Sequence, residues 1–193
     1  MRMLLTVALV AAACSTPEKT LESDRHFVSI TYADTVLETF SRTDRAITGL
    51  LVERSSDSVR FRIRTAGDAL VAGVDITLHP ASSRGERPRT VRVGMPKGTL
   101  PVMGTSVAFL EQLVRRAQVV GGDSVTIPVM LVGAQASLEV LTMIRNGSDS
   151  VAFVGPDGNQ AAGLHLAVDH QGRILGGGIP SSGTRILPVD TIH

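Results

Sequence analysis

The side chains with the most obvious chemical potential lie near the C-terminus. Ser181 and Ser182 stand in the run Gly176-Gly177-Gly178-Ile179-Pro180-Ser181-Ser182-Gly183, with His165, Asp169 and His170 upstream. Serine, histidine and aspartate are the parts of an acyl-transfer triad, and unrelated folds assemble them in different chain orders. Such a nucleophile is usually presented on a strained elbow of the G-x-S-x-G kind, and no window of this sequence has that form. The glycine run therefore reads as a flexible loop between the last strands. The histidines, His26, His79, His165, His170 and His193, form no HExxH and no i,i+4 pair, so no metal site is expected. Asp34, Asp57, Asp123 and Asp149 each precede Ser or Thr and then Val, without the D-x-D-x-D-G series of a calcium loop. They read as turn residues that bond backbone amides ahead of them. Neither GxxxxGK(S/T) nor GxGxxG occurs, so no phosphate or nucleotide cofactor is expected. The expectation is a non-enzymatic chain with no cofactor.

One thiol remains. Cys14 is the only cysteine, so no intrachain disulfide can form. It follows Met1-Arg2, an apolar run over residues 3–13, and the small residues Ala11-Ala12-Ala13. A positive start, about eleven mostly apolar residues and a small-residue cleavage site make an export signal, because a spanning helix needs roughly 20 apolar residues. Ala11 to Cys14 resembles a bacterial lipobox, with Ala11 standing where leucine is commonest. The resemblance implies a signal peptide over residues 1–13 and a Cys14 that becomes an acylated N-terminus. Buried acyl methylenes contribute about 0.8 kcal/mol each, so two or three chains hold a protein stably on a bilayer. In that lipoprotein class, Ser15 after the cysteine, in place of aspartate, implies sorting to the outer membrane, facing the periplasm or the cell surface. The alternative is a secretory signal cut after Ala13, which leaves Cys14 an ordinary thiol.

Removing Arg2 leaves the basic side chains equal in number to the 18 Asp and Glu, which argues against a nucleic-acid binder. About 180 residues suit one domain with a substantial core. With aromatics at 3% and no Trp, that core must be built from Val, Leu, Ile, Ala and Met. Residues 14–25 are polar beyond the cysteine and read as a tether, and residues 26–193 as a single β-rich domain.

The elements that must position any site are mostly strands. Short alternating runs cut by turn residues predict strands over 26–32, 35–41, 46–53, 58–65, 69–79 and 89–95. Val59, Phe61 and Ile63 share one side of their strand, and Arg60, Arg62 and Arg64 the other. Leu70, Val74, Ile76 and Leu78 repeat the device. The period then changes: over 105–118, Val107, Leu110, Val114 and Ala117 recur at helical spacing, with Phe109 and Leu113 widening the stripe and Glu111 placed to meet Arg115 at i,i+4. Strands resume over 124–132, 137–144, 150–154, 162–169, 173–179 and 185–189, with turns at Asn146-Gly147, Asp157-Gly158 and Gln171-Gly172. The fold class is all-β: a mainly antiparallel meander of about a dozen strands, a curved sheet or incomplete barrel, with one amphipathic helix.

Val125, Ile127, Val129 and Leu131 line one side of their strand while Met130 and Val132 occupy the other, so it is apolar on both faces. Met95, Met103, Met130 and Met143 fall near the helix or in the strands around it, and methionine suits adaptable apolar grooves. With Phe109 and Leu113 of the helix, they are the candidate ligand-binding set. A long meander with one apolar helix on it, behind a lipobox, resembles the lipoprotein-localisation half-barrel family, in which a curved sheet wraps an apolar cavity partly closed by helices. Residues 110–117, 127–129 and 168–175 also resemble stretches of exported β-rich domains of GC-rich bacteria. The half-barrel resemblance implies a lipid or apolar ligand. The alternatives are a structural or assembly lipoprotein that meets an envelope protein through its sheet, and, third, a hydrolase using the loop over 176–183.

Overall fold

A sheet built from alternating residues has one face to bury, and here thirteen strands among the described residues bury theirs on a single helix. The computed structural model describes residues 18–54, 57–133, 136–155 and 163–189. The signal segment, Cys14, the Asp157-Gly158 turn and His193 lie outside the described residues. The strands are β1 (Thr20–Ile30), β2 (Thr35–Thr43), β3 (Ala46–Glu53), β4 (Ser58–Ala66), β5 (Leu70–His79), β6 (Arg89–Gly94), β7 (Leu100–Val102), β8 (Ser124–Leu131), β9 (Ser137–Arg145), β10 (Ser150–Val154), β11 (Leu164–Val168), β12 (Ile174–Ile179) and β13 (Thr184–Pro188). The helix, α1 (Val107–Val120), lies between β7 and β8.

The strands form one sheet in the order β6-β5-β4-β3-β2-β1-β13-β12-β11-β10-β9-β8-β7. The chain thus enters at the middle and runs out to one edge at β6. It then crosses to the opposite edge at β7 and returns strand by strand until β13 closes on β1, with Phe27 opposite Pro188 and Ile30 opposite Arg185. Every ladder is antiparallel except β7 on β8, and α1 is the crossover that a parallel pair requires. The sheet is curved and does not close into a barrel. No helix of the described residues is long and apolar enough to cross a membrane.

On β4, Phe61 and Ile63 are buried and Val59 packs against the same core, while the arginines between them stay partly or fully exposed. The partner strand departs from simple alternation. A register slip between Arg64 and Thr65 brings Val71 inward, and Leu78, at the strand's far end, is exposed. Gly49 on β3 is required by close approach, because a Cβ there would run into the Phe61 ring of the neighbouring strand. On β8, Val125, Ile127 and Val129 are buried, but Leu131 is exposed at the strand end and Met130 only half-buried, so only one face of this strand is core.

Two further expectations are corrected, and one strand is added. Residues 20–25, read as tether, belong to β1; they lack an apolar period because their inward side chains are ion-paired. Of the glycine run read as a loop, Gly176 to Ile179 belong to β12, in agreement with the strand expected over 173–179, and Pro180–Ser182 form a short 3-10 turn; a Cβ on Gly178 would strike the Thr184 carbonyl of β13. The edge strand β7 was invisible to periodicity, being three buried residues with a proline in the middle.

The helix is buried almost all round its first two turns, from Val107 to Val114, because the concave sheet wraps it. Phe109 meets Phe61 with ring centroids 5.1 Å apart, and Phe27 stacks on Phe40 at 6.1 Å. The trough is thus filled by the protein's own side chains along most of its length.

Candidate functional site

Charged side chains interrupt this apolar interior at the start of the helix and again along its length. At the N-terminal end the inward parity of β2 runs Val36, Glu38, Phe40, Arg42, so Glu38 points at the helix start. Ser106 occupies the N-cap position, but its hydroxyl makes no capping bond to the helix. It donates instead to Glu38 Oε1 at 2.6 Å, while Val107 N–H donates to Oε2 at 2.6 Å and Ala108 N–H to Oε1 at 3.1 Å. Glu38 thus caps the helix from a strand, satisfying amides that have no partner inside the helix. Burial outweighs these hydrogen bonds and pushes its carboxyl up to about 7.

Further along the helix is a larger cluster. Glu111, whose side chain is wholly buried, pairs with Arg25 Nη1 and lies 3.8 Å from Arg42 Nη2. Burial pushes the Glu111 carboxyl up, against the pull of these arginines. Its Oε1 also accepts Ile174 N–H at 2.9 Å, while Arg25 Nη2 donates to the Ile174 carbonyl at 2.6 Å. Ile174 lies beyond the β12–β13 ladder, which spans Gly177 to Ile179, and side chains here supply the bonds the missing ladder would have made. The Arg25 guanidinium stacks 4.9 Å from the Phe27 ring centroid and 5.6 Å from that of Phe40. Arg115 turns from the expected Glu111 partner and bonds Glu22 on β1 at 2.5 Å. Arg42 Nη1 donates to Gln112 Oε1 at 3.1 Å, and Gln112 Nε2 donates to the Ala69 carbonyl at 2.7 Å. Burial draws Arg42 down to about 10.

This cluster underlies an open cleft of about 450 Å³ where the trough meets solvent beside the second half of the helix. Its walls come from the start of β1 (Leu21), the end of β2 (Arg42, Thr43, Asp44), the β4–β5 turn (Thr65, Ala66, Ala69), the helix (Gln112, Arg115, Gln118, Val119) and Gln171. The volume is that of a small-molecule site. Asp68 and Ala69 both have left-handed φ, 59° and 55°, in this turn. Arg116 and Gln112 hold their carbonyls from the helix, so a strained turn is pinned at the cleft rim.

The cleft is lined by none of the six residues proposed from sequence. Phe109, Leu113 and Met143 are fully buried in the core. Met95 and Met103 are partly buried against it, and Met130 sits half-buried on the outer side of β8, opposite Leu138. Met143 also touches a second, smaller cleft of about 260 Å³ with Val114, Gln118, Val168 and His170. Sequence reasoning missed Arg42, Arg115 and Gln112. The available signal was parity: Glu38 and Arg42 alternate with Phe40 on one face of β2, and Glu111 stands inside the helix's apolar run. Ser182 Oγ is engaged by Thr184 Oγ1 at 2.7 Å and the Ile179 carbonyl at 3.3 Å. Among the described residues no group of three or more His, Cys, Asp or Glu could hold a metal ion.

No family model matches the sequence, and no curated protein matches it. Among solved structures, the chain is similar to the crystal structure of a DUF1089 family protein from Pseudomonas aeruginosa, at 13% identity and a TM-score of 0.50. The match covers 91% of this chain and 95% of that one, which supports the β-rich fold as a whole.

Proposed function

We propose that this chain is a non-catalytic, extracytoplasmic lipoprotein, held on the outer membrane through Cys14, that binds an apolar ligand or lipid in its curved sheet. The observation that carries the reading is the cleft of about 450 Å³ at the open end of the trough, where Leu21, Ala66, Ala69 and Val119 stand beside arginines. The concave face under the helix is filled, so the ligand belongs at this open end and not beneath α1. The signal segment and lipobox-like Ala11 to Cys14 support the location. The test is mass spectrometry of the organic extract of protein purified after export. A stoichiometric lipid or acyl compound beyond any group bonded to Cys14 supports the reading, and a clean extract from folded protein counts against it.

A second reading, an assembly lipoprotein acting through protein contacts, draws on the convex face. There Leu37, 53% exposed, and its cross-strand partner Val52 line a shallow apolar depression with Thr35, Glu53 and Arg54. Leu138 and Val140 of β9 are likewise exposed. Loss of a co-purifying envelope protein on Leu37→Asp, with the fold intact, would favour it.

A further inference from the structure

The cleft floor holds a dense set of charged side chains. Arg25, Arg42 and Arg115 face Glu22 and Glu111 within the cluster, and Asp44 on the wall, one oxygen of which accepts the Lys19 N–H, makes the carboxylates equal in number to the guanidiniums. The Arg42 side chain is only 7% exposed, yet its Nε and Nη2 have no hydrogen-bond partner among the described residues. Its carboxylate neighbours, Glu22 Oε2 at 3.6 Å and Glu111 Oε2 at 3.8 Å, are near enough for attraction and too far for a hydrogen bond, and these two oxygens are themselves buried and unpartnered. Arg115 Nε is buried and unpartnered as well. Guanidiniums left this way at the floor of a cleft are suited to an acid group that can hydrogen-bond them together.

The chain enters beside the same cleft. Glu18 bonds Arg62 at 2.5 Å and Thr43 Oγ1 at 3.0 Å, and Lys19 N–H bonds Asp44, so the start of the described chain is fixed next to Thr43 and Asp44 of the cleft wall. Three residues separate Glu18 from Cys14, four steps along the chain with a reach of about 14 Å at full extension. An acylated Cys14 would hold the cleft within that reach of the headgroup layer.

Resting on the lipid-binding reading above, we propose that the cleft takes an acidic lipid from the membrane surface. Its phosphate or carboxylate is held by Arg42 and Arg115, and its chain lies along Leu21, Ala66, Ala69 and Val119. The acid completes the hydrogen bonding of the two guanidiniums. The apolar wall accounts for preferring an amphiphile over a free anion.

The test is calorimetric titration of the exported full chain carrying Cys14→Ser with three probes: dihexanoyl phosphatidate, dihexanoyl phosphatidylcholine and inorganic phosphate. The lipids are kept below micelle formation. Phosphatidate should bind at least about tenfold tighter than either other probe, the scale of one charge-assisted hydrogen bond. Arg115→Gln should weaken phosphatidate by about tenfold or more and leave phosphatidylcholine unchanged, with Arg115→Lys in between. Thermal melts of both variants establish that they are folded, and Arg115 is the position of choice because it is less buried than Arg42. Equal affinity for the two lipids, insensitive to Arg115, overturns the headgroup assignment and leaves the lipid-binding reading standing. Phosphate binding as tightly as phosphatidate overturns the amphiphile and leaves a free-anion site. Failure of both lipids to bind folded protein overturns the proposal together with the reading beneath it.

Discussion

Replacing Glu38 should cost the fold more than any other single polar substitution, because one carboxylate serves three donors at a buried helix start. In Glu38→Ala, the Ser106 hydroxyl and the Val107 and Ala108 amides lose acceptors at 2.6, 2.6 and 3.1 Å. Each stranded buried donor costs about 1–3 kcal/mol, and the Ser106 hydroxyl can turn back to recover part of one as a conventional cap. The net loss should be on the order of 3–5 kcal/mol, a large share of the ~5–15 kcal/mol typical of a domain. Urea unfolding at pH 6, followed by far-UV circular dichroism, measures it. A second arm uses pH. The Glu38 carboxyl rises from 4.5 to about 7 on folding, so the folded protein holds a proton that the unfolded chain releases between those values. The stabilisation from this protonation is whole below pH 4.5 and is lost as pH rises through about 7, by about 3 kcal/mol in all. Glu38→Gln keeps the shape and cannot ionise, so its stability should fall less between pH 5 and 8 than that of the wild type by about this amount. A loss under about 1 kcal/mol in the alanine variant would refute the capping argument, and identical pH dependence in wild type and glutamine variant would refute the raising of the carboxyl by burial.

Other substitutions probe the remaining parts. Ala69→Gly relieves a left-handed φ of 55° and should stabilise by about 1 kcal/mol, a rise of a few degrees in Tm; a fall would show that the methyl contact in the cleft outweighs the strain. Leu113→Asp places a charge where exposure is zero and should cost more than about 4 kcal/mol, so soluble protein with a near-normal melt would contradict the core assignment. Cys14→Ala should move the exported protein from the membrane fraction to the soluble one without changing its circular dichroism, and unchanged membrane association would remove the anchor from the account.

The strands and helix were legible because each carries a regular apolar period. The helix expected over 105–118 is found at Val107–Val120, and β3 and β10 begin and end where alternation places them. What stayed hidden depends on residues distant in sequence. The order of the sheet, with β13 closing on β1 and β7 at the far edge, follows from packing around α1, which no local period records. The start of β1 looked like tether because Glu22 and Arg25 are buried by their partners, not by apolarity. The expected Glu111–Arg115 pair failed for the same reason: the sheet offered Glu111 two arginines and Arg115 a glutamate, so both turned outward from the helix. The cleft is the remainder left where the sheet outlasts the helix that fills it, and its arginines were visible only as misplaced charges on apolar faces.

The most direct measurement is an amide chemical-shift map of the isotopically labelled chain titrated with dihexanoyl phosphatidate. The account predicts concerted, saturable shifts at Leu21, Thr43, Ala69, Gln118 and Val119, around the cleft. Shifts centred on Leu37 and Val52 of the convex face, or none in folded protein, would contradict it.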